Sequence, residues 1–285
     1  MELCRIEAVA LRMSLQDRGR AGWGRYGVPP SGSMDDHAAE WANRLLDNPP
    51  KAPVLEILGP GARLRFLRDT WIAVAGAKGK WPAWRATQMH ANEVFDMREI
   101  EAGLWSYVAV KDGFDCGVWL DSASVYPRAG FGELLRAGDV LSRKPMSDLA
   151  LPAGVSARVA PWTEQRDYSK PPALRVWHGP QWDLFSEEQR QRFFAQAWTV
   201  SPQSDRVGYR LSGEALAHQT GELLSEPVIP GTIQVPDNGQ PIVTMRDGPT
   251  VGGYAKLGVL DERDISWLAQ VQPGRQVRFV LADEA

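Results

Sequence analysis

Short apolar runs, each closed by glycine or proline, are the feature that most constrains the fold of this chain. The 285 residues include 27 glycines and 21 prolines, spread along the whole sequence. Leu55 and Ile57 alternate with other residues, as do Leu64 and Phe66, and the turn 59–61 (Gly-Pro-Gly) separates the two runs. Runs of this length between turn signals are typical of strands. The sequence therefore predicts a mostly β protein rather than a helical bundle or a βαβ array.

Three further runs extend this pattern. Residues 71–75 (Trp-Ile-Ala-Val-Ala) are apolar throughout, which is typical of a buried strand. The runs 232–235 and 242–245 flank a loop that contains Asn238 and Gly239. Because Asn-Gly readily adopts the positive φ angles of a tight turn, these two runs are predicted to pair as a hairpin.

Helices are predicted in only a few short segments. A helical period predicts one over 36–46, ended by the Asn-Pro-Pro of 48–50. The capping-box spacing that starts at Ser186 predicts a second, over 186–198. A third, short helix is expected after Asp264. The residues predicted to face inward are Ala38, Trp41, Ala42 and Leu45 in the first helix, and Ile265 and Leu268 in the third.

The stretch 152–172 holds several prolines and charges without a clear period, so it is the predicted domain boundary. It divides the chain into an N-terminal β half, 1–160, and a C-terminal β half, 161–285. Halves of this size are long enough for each to bury a core of its own.

The net charge and the cysteine content limit which kinds of partner and which cellular compartment are expected for this chain. The formal net charge is -3, so no basic excess points to nucleic acid or to an anionic membrane surface. Cys4 and Cys116 are the only cysteines, and two cysteines do not make a disulfide framework. No apolar run approaches the roughly 20 residues that a membrane helix needs. We expect a cytoplasmic protein whose partners are a small molecule and other proteins.

Residues 22–27 (Gly-Trp-Gly-Arg-Tyr-Gly) match the pattern G-x-G-x-x-G of dinucleotide-binding sites. In such a site the glycine turn opens a helix whose N-terminal amides hold the pyrophosphate. Here Pro29 and Pro30 follow, and the sequence after them cannot form the first turns of a helix. We predict that this loop binds no dinucleotide.

The first candidate cluster runs from residue 16 to residue 35. Arg20 and Arg25 can fork onto a carboxylate, and Ser31 and Ser33, with nearby amides, can cradle an oxyanion. The alternative is a surface loop with an internal Asp-Arg pair. The residue types leave both interpretations open.

Two more clusters lie in the second half. Gln203, Ser204, Asp205, Arg206 and Tyr209 form a polar group suited to an amide or a carboxylate, or else an Asx-type turn. In the second of these clusters, Lys256 lies beside a Gly-Gly-Tyr turn and can stabilise negative charge that develops during a reaction. The alternative is a solvated lysine without such a role. The members of this cluster with a predicted binding role are Gly252, Gly253 and Tyr254. The histidines and cysteines lack metal-ligand spacing, so no metal site is predicted.

The ordered set of these segments resembles the allophanate hydrolase subunit 2, or biotin-dependent carboxyltransferase, family. The resemblance covers nearly the whole chain and is strongest in three C-terminal segments. The matching segments are 16–20, 27–35, 42–48, 55–56, 201–210, 224–236 and 247–256. Members of the family include the C component of bacterial 5-oxoprolinase, a carboxyltransferase domain of urea carboxylase and an antagonist of a histidine-kinase inhibitor.

The resemblance implies two cyclophilin-like β-barrel or sandwich halves and a subunit 1 or B-type partner. In the 5-oxoprolinase members the paired proteins work with a third, A-type protein and open the lactam of 5-oxoproline to glutamate at the expense of ATP. In urea carboxylase the paired domains move a carboxyl group from carboxybiotin to urea. No Met-Lys-Met biotinylation site is present here, so biotin would arrive on another chain. The twelve tryptophans agree with an extensive protein interface.

The resemblance weakens in the middle of the chain. Where the family usually has a Gly-Ser-Arg-Ser-Thr-like run, residues 120–124 read Leu-Asp-Ser-Ala-Ser, and Cys116 precedes them. The run has lost its arginine, so specificity is expected to differ if that arginine contacts substrate in relatives.

The sequence predicts that polar residues on separate loops converge on one cleft, because loops held by a β scaffold can do so. The catalytic candidates among them are Arg20, Asp205, Arg206 and Lys256. Those predicted to line the cleft with them are Ser31, Gln203, Tyr209 and Gln234.

Overall fold

The computed structural model describes residues 1–145, 156–219 and 223–282, and strands dominate these ranges. The chain forms two compact units, one of residues 1–20 and 31–169 and the other of residues 21–30 and 170–285. The described ranges hold three α-helices: α1 (Asp36–Arg44), α2 (Glu187–Ala195) and α3 (Glu262–Ala269). The prediction of a mostly β protein with a few short helices is confirmed.

Part of the predicted boundary, residues 152–155, lies outside the described residues, and residues 161–169 belong to the first compact unit. The division into halves 1–160 and 161–285 stays a prediction.

The first unit is built from two antiparallel sheets. Its strands are β1 (Glu2–Ala8), β2 (Arg12–Gln16), β3 (Val54–Leu58), β4 (Ala62–Phe66), β5 (Thr70–Gly79), β6 (Arg85–Met89), β7 (Val94–Met97), β8 (Ile100–Val110), β9 (Phe114–Asp115), β10 (Val140–Arg143) and β11 (Arg158–Val159). One sheet has the order β7-β4-β1-β10-β9 and the other the order β11-β6-β5-β8-β3-β2. Apolar residues of both sheets, among them Leu3, Phe66, Ile57 and Val108, form one buried core.

The predicted strands around residues 55–66 and 71–75 are confirmed as β3, β4 and part of β5. The turn 59–61 does not close a hairpin, because β3 and β4 belong to different sheets. Gly59 and Gly61 have positive φ angles of 74° and 111°. These angles let the chain leave one sheet and enter the other, since residues with a Cβ rarely adopt them.

The second unit contains an eight-stranded sheet that nearly closes into a barrel, and a separate two-stranded ribbon. Its strands are β12 (Leu174–His178), β13 (Trp198–Val200), β14 (Gly208–Ser212), β15 (Glu226–Pro227), β16 (Thr232–Val235), β17 (Ile242–Thr244), β18 (Val251–Gly252), β19 (Ala255–Leu260), β20 (Gln276–Val277) and β21 (Phe279–Leu281). The large sheet has the order β20-β13-β14-β17-β16-β19-β12-β21, and β15 pairs with β18 in a small ribbon. The end strands β20 and β21 are separated only by Arg278, so the two edges of the sheet lie close together.

The helices agree with their predicted starts better than with their predicted ends. Asp35 caps α1 by accepting a hydrogen bond from the Ala38 amide at 3.0 Å, and Ser186 caps α2. The second helix ends at Ala195, so the predicted extension to Trp198 is wrong. Trp198 begins β13 instead, where it is fully buried and donates from Nε1 to the Phe193 carbonyl.

The third helix, α3, begins at Glu262, before the predicted start, because Asp261 provides its cap. Ile265 and Leu268 are buried as predicted.

The hairpin of β16 and β17 is confirmed, with Ile233 opposite Val243. Its loop is longer than a tight Asn-Gly turn: six residues, 236–241, separate the strands, and only Gly239 has the positive φ angle, 71°.

The glycine loop of residues 22–27 forms a short 3-10 turn, Gly24–Tyr26, and Gly27 ends it with a φ angle of 80°. Residues 27–35 form no helix. The turn therefore lacks the strand-loop-helix arrangement that holds a pyrophosphate. In the described ranges no helix combines the length and the apolar character that spanning a bilayer requires.

Candidate functional site

A buried hydrogen-bond cluster around Asp17 lies at the end of β2 in the first unit. Its Oδ1 accepts from the Gly19 amide at 2.7 Å and from the hydroxyls of Ser122 and Ser124 at 2.6 Å each. Its Oδ2 accepts from the Ala123 amide at 2.7 Å. The carboxylate therefore fastens the segment 122–124, where the family resemblance is weakest, to the loop after β2.

Arg20 belongs to the same cluster. It is 3% exposed, and its guanidinium donates from Nη2 to the Ser124 carbonyl and from Nε to the Trp119 carbonyl at 3.4 Å. The guanidinium carbon lies 4.9 Å from the centre of the Phe131 ring. These contacts hold the 119–131 segment in place, so they indicate a structural role for Arg20. The predicted partner in a carboxylate fork, Arg25, lies over the Tyr26 ring at 4.8 Å and is exposed.

The two serines of the first candidate cluster differ in their bonding. Ser33 donates from its amide and its hydroxyl to the Asp17 carbonyl, at 3.0 and 3.3 Å. Ser31 has a φ angle of 53°, and its buried Oγ has no hydrogen-bond partner among the described residues. A buried hydroxyl without a partner is costly, so Ser31 is the member of this cluster that is best suited to a ligand.

We expect Asp17→Asn to lower the free energy of unfolding by about 2 kcal/mol, because an amide cannot accept all four donors that the carboxylate accepts. Urea denaturation followed by tryptophan fluorescence measures the change. Asp121→Asn is the matched control: Asp121 is exposed, has a φ angle of 62° that asparagine tolerates, and should stay within about 0.5 kcal/mol of the parent. Equal stability of Asp17→Asn and Asp121→Asn would contradict the role assigned to Asp17.

In the second unit, Lys256 lies at the centre of a polar cluster on β19. It is only 2% exposed, and its ammonium lies 3.2 Å from Glu226 Oε2 and 3.3 Å from the Gly252 carbonyl. Gln181 joins the cluster by donating to Glu226 Oε2 at 2.8 Å and accepting from the Lys256 amide at 3.2 Å. An ammonium has three donors, so one has no partner among the described residues. That donor suits an incoming oxyanion or amide oxygen.

Gln234 lies directly opposite Lys256 in the pairing of β16 with β19. It donates from Nε2 to Thr244 Oγ1 at 2.9 Å. A Cβ on Gly252 would lie 2.7 Å from Gln234 Oε1, so a side chain at this position would displace the Gln234 amide. Gln234, Thr244 and Lys256 therefore share one sheet face, with the Gly252 backbone packed against it.

Arg206 and Asp247 form a buried ion pair at the ends of β14 and β17. Arg206 donates from Nε to Asp247 Oδ2 at 2.7 Å and from Nη2 to Oδ1 at 3.0 Å. The side chains are 3% and 5% exposed. Backbone bonds from Asp247 to Arg206 and from Met245 to Val207 continue the pairing of the two strands. The Arg206 guanidinium therefore joins the ends of β14 and β17.

The neighbours of Arg206 form a turn. Asp205 Oδ1 accepts from the amides of Val207 and Gly208 at 2.8 and 3.2 Å, and Ser204 Oγ accepts from the Arg210 amide at 3.0 Å. The amide of Gln203 donates to Ser201 Oγ at 3.2 Å, and the Gln203 side chain is exposed. The Asx-type turn that the sequence left open is therefore present here.

The remaining predicted residues have separate surroundings. Tyr209 is buried and donates its hydroxyl hydrogen to the Ala269 carbonyl at 2.7 Å, so it anchors the end of α3. Tyr254 is 51% exposed. A Cβ on Gly253 would lie 3.4 Å from Ser225 Oγ, which is an ordinary contact.

The expectation that all these residues lie on loops is wrong for three of them, since Tyr209, Gln234 and Lys256 lie within strands. Convergence of Arg20 and Ser31 with the residues of the second unit stays a prediction.

Sequence reasoning missed several residues that complete these clusters. They are Asp17, Ser122 and Ser124 as structural partners in the first unit, and Gln181, Glu226, Thr244 and Asp247 in the second. Glu226 and Asp247 lie within the segments that match the family, but their basic partners are 30 and 41 residues away. Among the described residues, no group of three or more His, Cys, Asp or Glu side chains is placed to hold a metal ion.

Hydrogen bonds from Gln181 and then from Lys256, with the charge of Lys256, lower the pKa of Glu226 below its ordinary value of 4.5. A carboxyl whose pKa is lower in the folded state contributes stability above its unfolded pKa and loses it as the pH falls through the folded pKa. We therefore expect the stability difference between the parent and Glu226→Gln to shrink as the pH falls below about 4.5. Denaturation series between pH 3 and 7, at roughly one-unit steps, measure it. A difference that does not change with pH would contradict the pairing.

Comparison with known proteins matches residues 26–281 to the family model described as carboxyltransferase domain, subdomain A and B. The chain is 33% identical to the C component of Escherichia coli 5-oxoprolinase, over 98% of this chain and 91% of that protein. It matches the solved structure of TTHA0988 with a TM-score of 0.84 and 33% identity, covering 98% of this chain but 55% of that one. The Kluyveromyces lactis urea amidolyase structure matches with a TM-score of 0.89 and 28% identity, covering 98% of this chain and 18% of that one.

The chain thus spans about half the length of the TTHA0988 chain and nearly all of the E. coli protein. The family model covers both compact units, and the solved relatives share the β-rich fold described above. This chain belongs to the carboxyltransferase family defined by subdomains A and B.

Proposed function

We propose that this chain is the C-type component of an ATP-dependent 5-oxoprolinase and is inactive alone. In this proposal it acts with a B-type partner and a third, A-type protein to open the lactam of 5-oxoproline to glutamate. The observation that carries the proposal is the 33% identity to the C component of E. coli 5-oxoprolinase across almost the full length of both chains. ATP is required by the complex, and its binding site is not assigned to this chain.

The Lys256 cluster supports chemistry on an amide. Opening a lactam breaks its C–N bond, and negative charge develops on the carbonyl oxygen as the carbon is attacked. A fixed ammonium with one available donor, in a buried position, can stabilise that charge. Gln234 lies beside Lys256, and its Nε2 donates to Thr244. The contribution of Gln234 is therefore to hold in place the sheet face on which Lys256 lies.

A cytoplasmic location is part of the proposal. Cys4 and Cys116 are both free thiols, which agrees with a reducing compartment. Burial raises the pKa of Cys4 to about 12, and burial, followed by the charges of Asp17 and Asp115, raises the pKa of Cys116 to about 11. Both thiols therefore stay protonated and unreactive at neutral pH.

Reconstitution tests the proposal. The chain is co-expressed and purified with its B-type and A-type partners, and glutamate release is measured with 5-oxoproline and ATP. We expect turnover only when all three proteins and ATP are present, with each protein omitted in turn as the control. A complex that forms but releases no glutamate would contradict the assignment, and separate elution of the chain and its B-type partner would contradict the partnership.

Carboxyl transfer to urea is the second candidate, because the structure of a urea amidolyase matches with a TM-score of 0.89. Biotin would then be supplied by another chain, as a biotinylated carrier. The same purified complex is tested with urea, bicarbonate, ATP and that carrier. Product from urea but not from 5-oxoproline would select this alternative. Stable binding of the B-type protein without turnover of either substrate would favour the third possibility, a non-enzymatic antagonist of a histidine-kinase inhibitor.

A further inference from the structure

A cavity of about 570 Å³ lies in the first unit between the end of β5 and the segment 162–169. Its volume is in the range of small-molecule sites. The lining residues that matter for its chemistry are Trp81, Trp84, Trp162, Tyr168, Lys78 and Arg166. Three tryptophans and a tyrosine contribute aromatic surface to a wall that also carries polar and charged groups.

The inner wall of the cavity is rigid. Trp84 packs between His37, at 5.6 Å between ring centres, and Tyr168, at 6.4 Å. Tyr168 donates its hydroxyl hydrogen to Asp35 Oδ2 at 2.6 Å. Trp84 has a φ angle of 60°, a conformation that a bulky residue adopts only when its surroundings impose it. The wall is therefore shaped before any ligand arrives.

The outer wall leaves aromatic surface uncovered. Trp162 is 84% exposed, and no described ring packs against it. Trp81 is buried against Gly79, where a Cβ would lie 2.3 Å from the indole, and its Nε1 has no acceptor among the described residues. An exposed indole face and a donor without an acceptor are both features that a ring-bearing ligand with acceptor atoms would satisfy.

The charges at the cavity favour an anion. Lys78 and Arg166 are the cations on its lining, and Asp167 is the anion. Arg166 also forms an ion pair with the buried Asp35, at 3.8 Å, so Lys78 is the cation that a ligand meets first. Asp167 Oδ1 already accepts from the amide and the hydroxyl of Ser169, at 3.0 and 2.6 Å. Lys78 pairs with Glu101 at 3.1 Å, but both side chains are more than half exposed, so water screens that pair and the ammonium can turn to a ligand.

We propose that this cavity binds a small planar ring compound that carries a carboxylate or a phosphate. The ring stacks on the exposed face of Trp162 beside Trp81 and Trp84, and the anionic group lies toward Lys78 and Arg166. The proposal concerns the first unit alone and does not depend on the proposed 5-oxoprolinase activity.

Titration of the full chain with three matched probes tests the proposal. Benzoate has the ring and the charge, benzamide has the ring without the charge, and acetate has the charge without the ring. Binding is followed in NMR spectra through the tryptophan Nε1–H signals, with that of Trp162 assigned from Trp162→Phe. We expect benzoate to bind with a dissociation constant near or below about 1 mM and to shift the Trp162 signal. Benzamide and acetate should bind about tenfold more weakly.

Variants of exposed residues locate the binding without disturbing the fold. Trp162→Ala should weaken benzoate binding about tenfold, and Lys78→Gln should weaken it by a smaller factor while leaving benzamide unaffected. Trp177→Ala is the matched control, since Trp177 is 48% exposed in the second unit and should not change binding. The proposal is overturned if benzoate at about 10 mM shifts no tryptophan signal, if acetate binds as tightly as benzoate, or if Trp162→Ala retains the parental affinity.

Discussion

Replacement of Arg206 by alanine is expected to lower the free energy of unfolding of the second unit by about 3–5 kcal/mol. The guanidinium is 3% exposed and forms two hydrogen bonds with the Asp247 carboxylate, at 2.7 and 3.0 Å. Alanine removes one charge and leaves the other in a buried position without this partner. An uncompensated buried charge costs more than the pair contributes, because water no longer solvates it.

Guanidinium denaturation followed by tryptophan fluorescence measures this effect, and two variants control for it. Arg210→Ala removes an exposed arginine from the neighbouring strand β14 and should change stability by about 0.5 kcal/mol or less. The double variant Arg206→Met with Asp247→Leu removes both charges and should recover much of the loss, since apolar residues can replace a buried pair. If the two variants Arg206→Ala and Arg210→Ala have the same free energy of unfolding, the ion pair of Arg206 with Asp247 is unimportant for stability.

Lys256→Met is expected to lower turnover by the reconstituted complex about 10²- to 10³-fold. Methionine keeps much of the length and the apolar stem of lysine but removes the ammonium, which is the cation of the Glu226 and Gly252 cluster. If that ammonium meets charge that develops only in the transition state, kcat falls and the KM for 5-oxoproline changes little. Steady-state kinetics of glutamate release separate the two quantities.

Lys111→Met is the matched control for this experiment. Lys111 is 4% exposed and forms an ion pair with Asp112 in the first unit, so it too is a buried, paired lysine. Its loss should lower stability but leave kcat of the folded complex within about twofold of the parent. Parental turnover by Lys256→Met would remove Lys256 from the candidate catalytic residues, and an equal loss of kcat in both variants would indicate a general effect of destabilisation.

Local signals predicted the starts of α1 and α2, whereas α3 begins earlier than predicted. Ser186 and the Asp35 cap of α1 supply side-chain oxygens to the free amides at a helix start, and these effects act over three residues. The end of α2 was predicted wrongly because Trp198 has a long-range role. Its indole donates to the Phe193 carbonyl and packs near that ring, and its backbone pairs with Val277 where β13 meets β20. Burial in a sheet outweighs the weak preference of the preceding residues for helix.

The candidate site shows the same division between local and distant effects. Asp205 and Ser204 bond to amides within six residues, so the turn they form was open to prediction from residue types. The partners of Lys256 and Arg206 lie 30 and 41 residues away. The register between paired strands determines these long-range contacts, and no short segment of sequence specifies that register.

The sequence by itself determined the β-rich class, the starts of α1 and α2, the β16–β17 hairpin and the family, because all four depend on residue types and order along the chain. Only the tertiary structure decided which polar groups are structural. Arg20 and Tyr209 have structural roles because each donates a hydrogen bond to a distant backbone carbonyl, that of Ser124 for Arg20 and that of Ala269 for Tyr209. Lys256 became the centre of the candidate site because strand pairing buries it beside a carboxylate while leaving one of its donors available. Burial and the identity of distant partners follow from packing, and packing fixes the electrostatic role that each charged side chain can have.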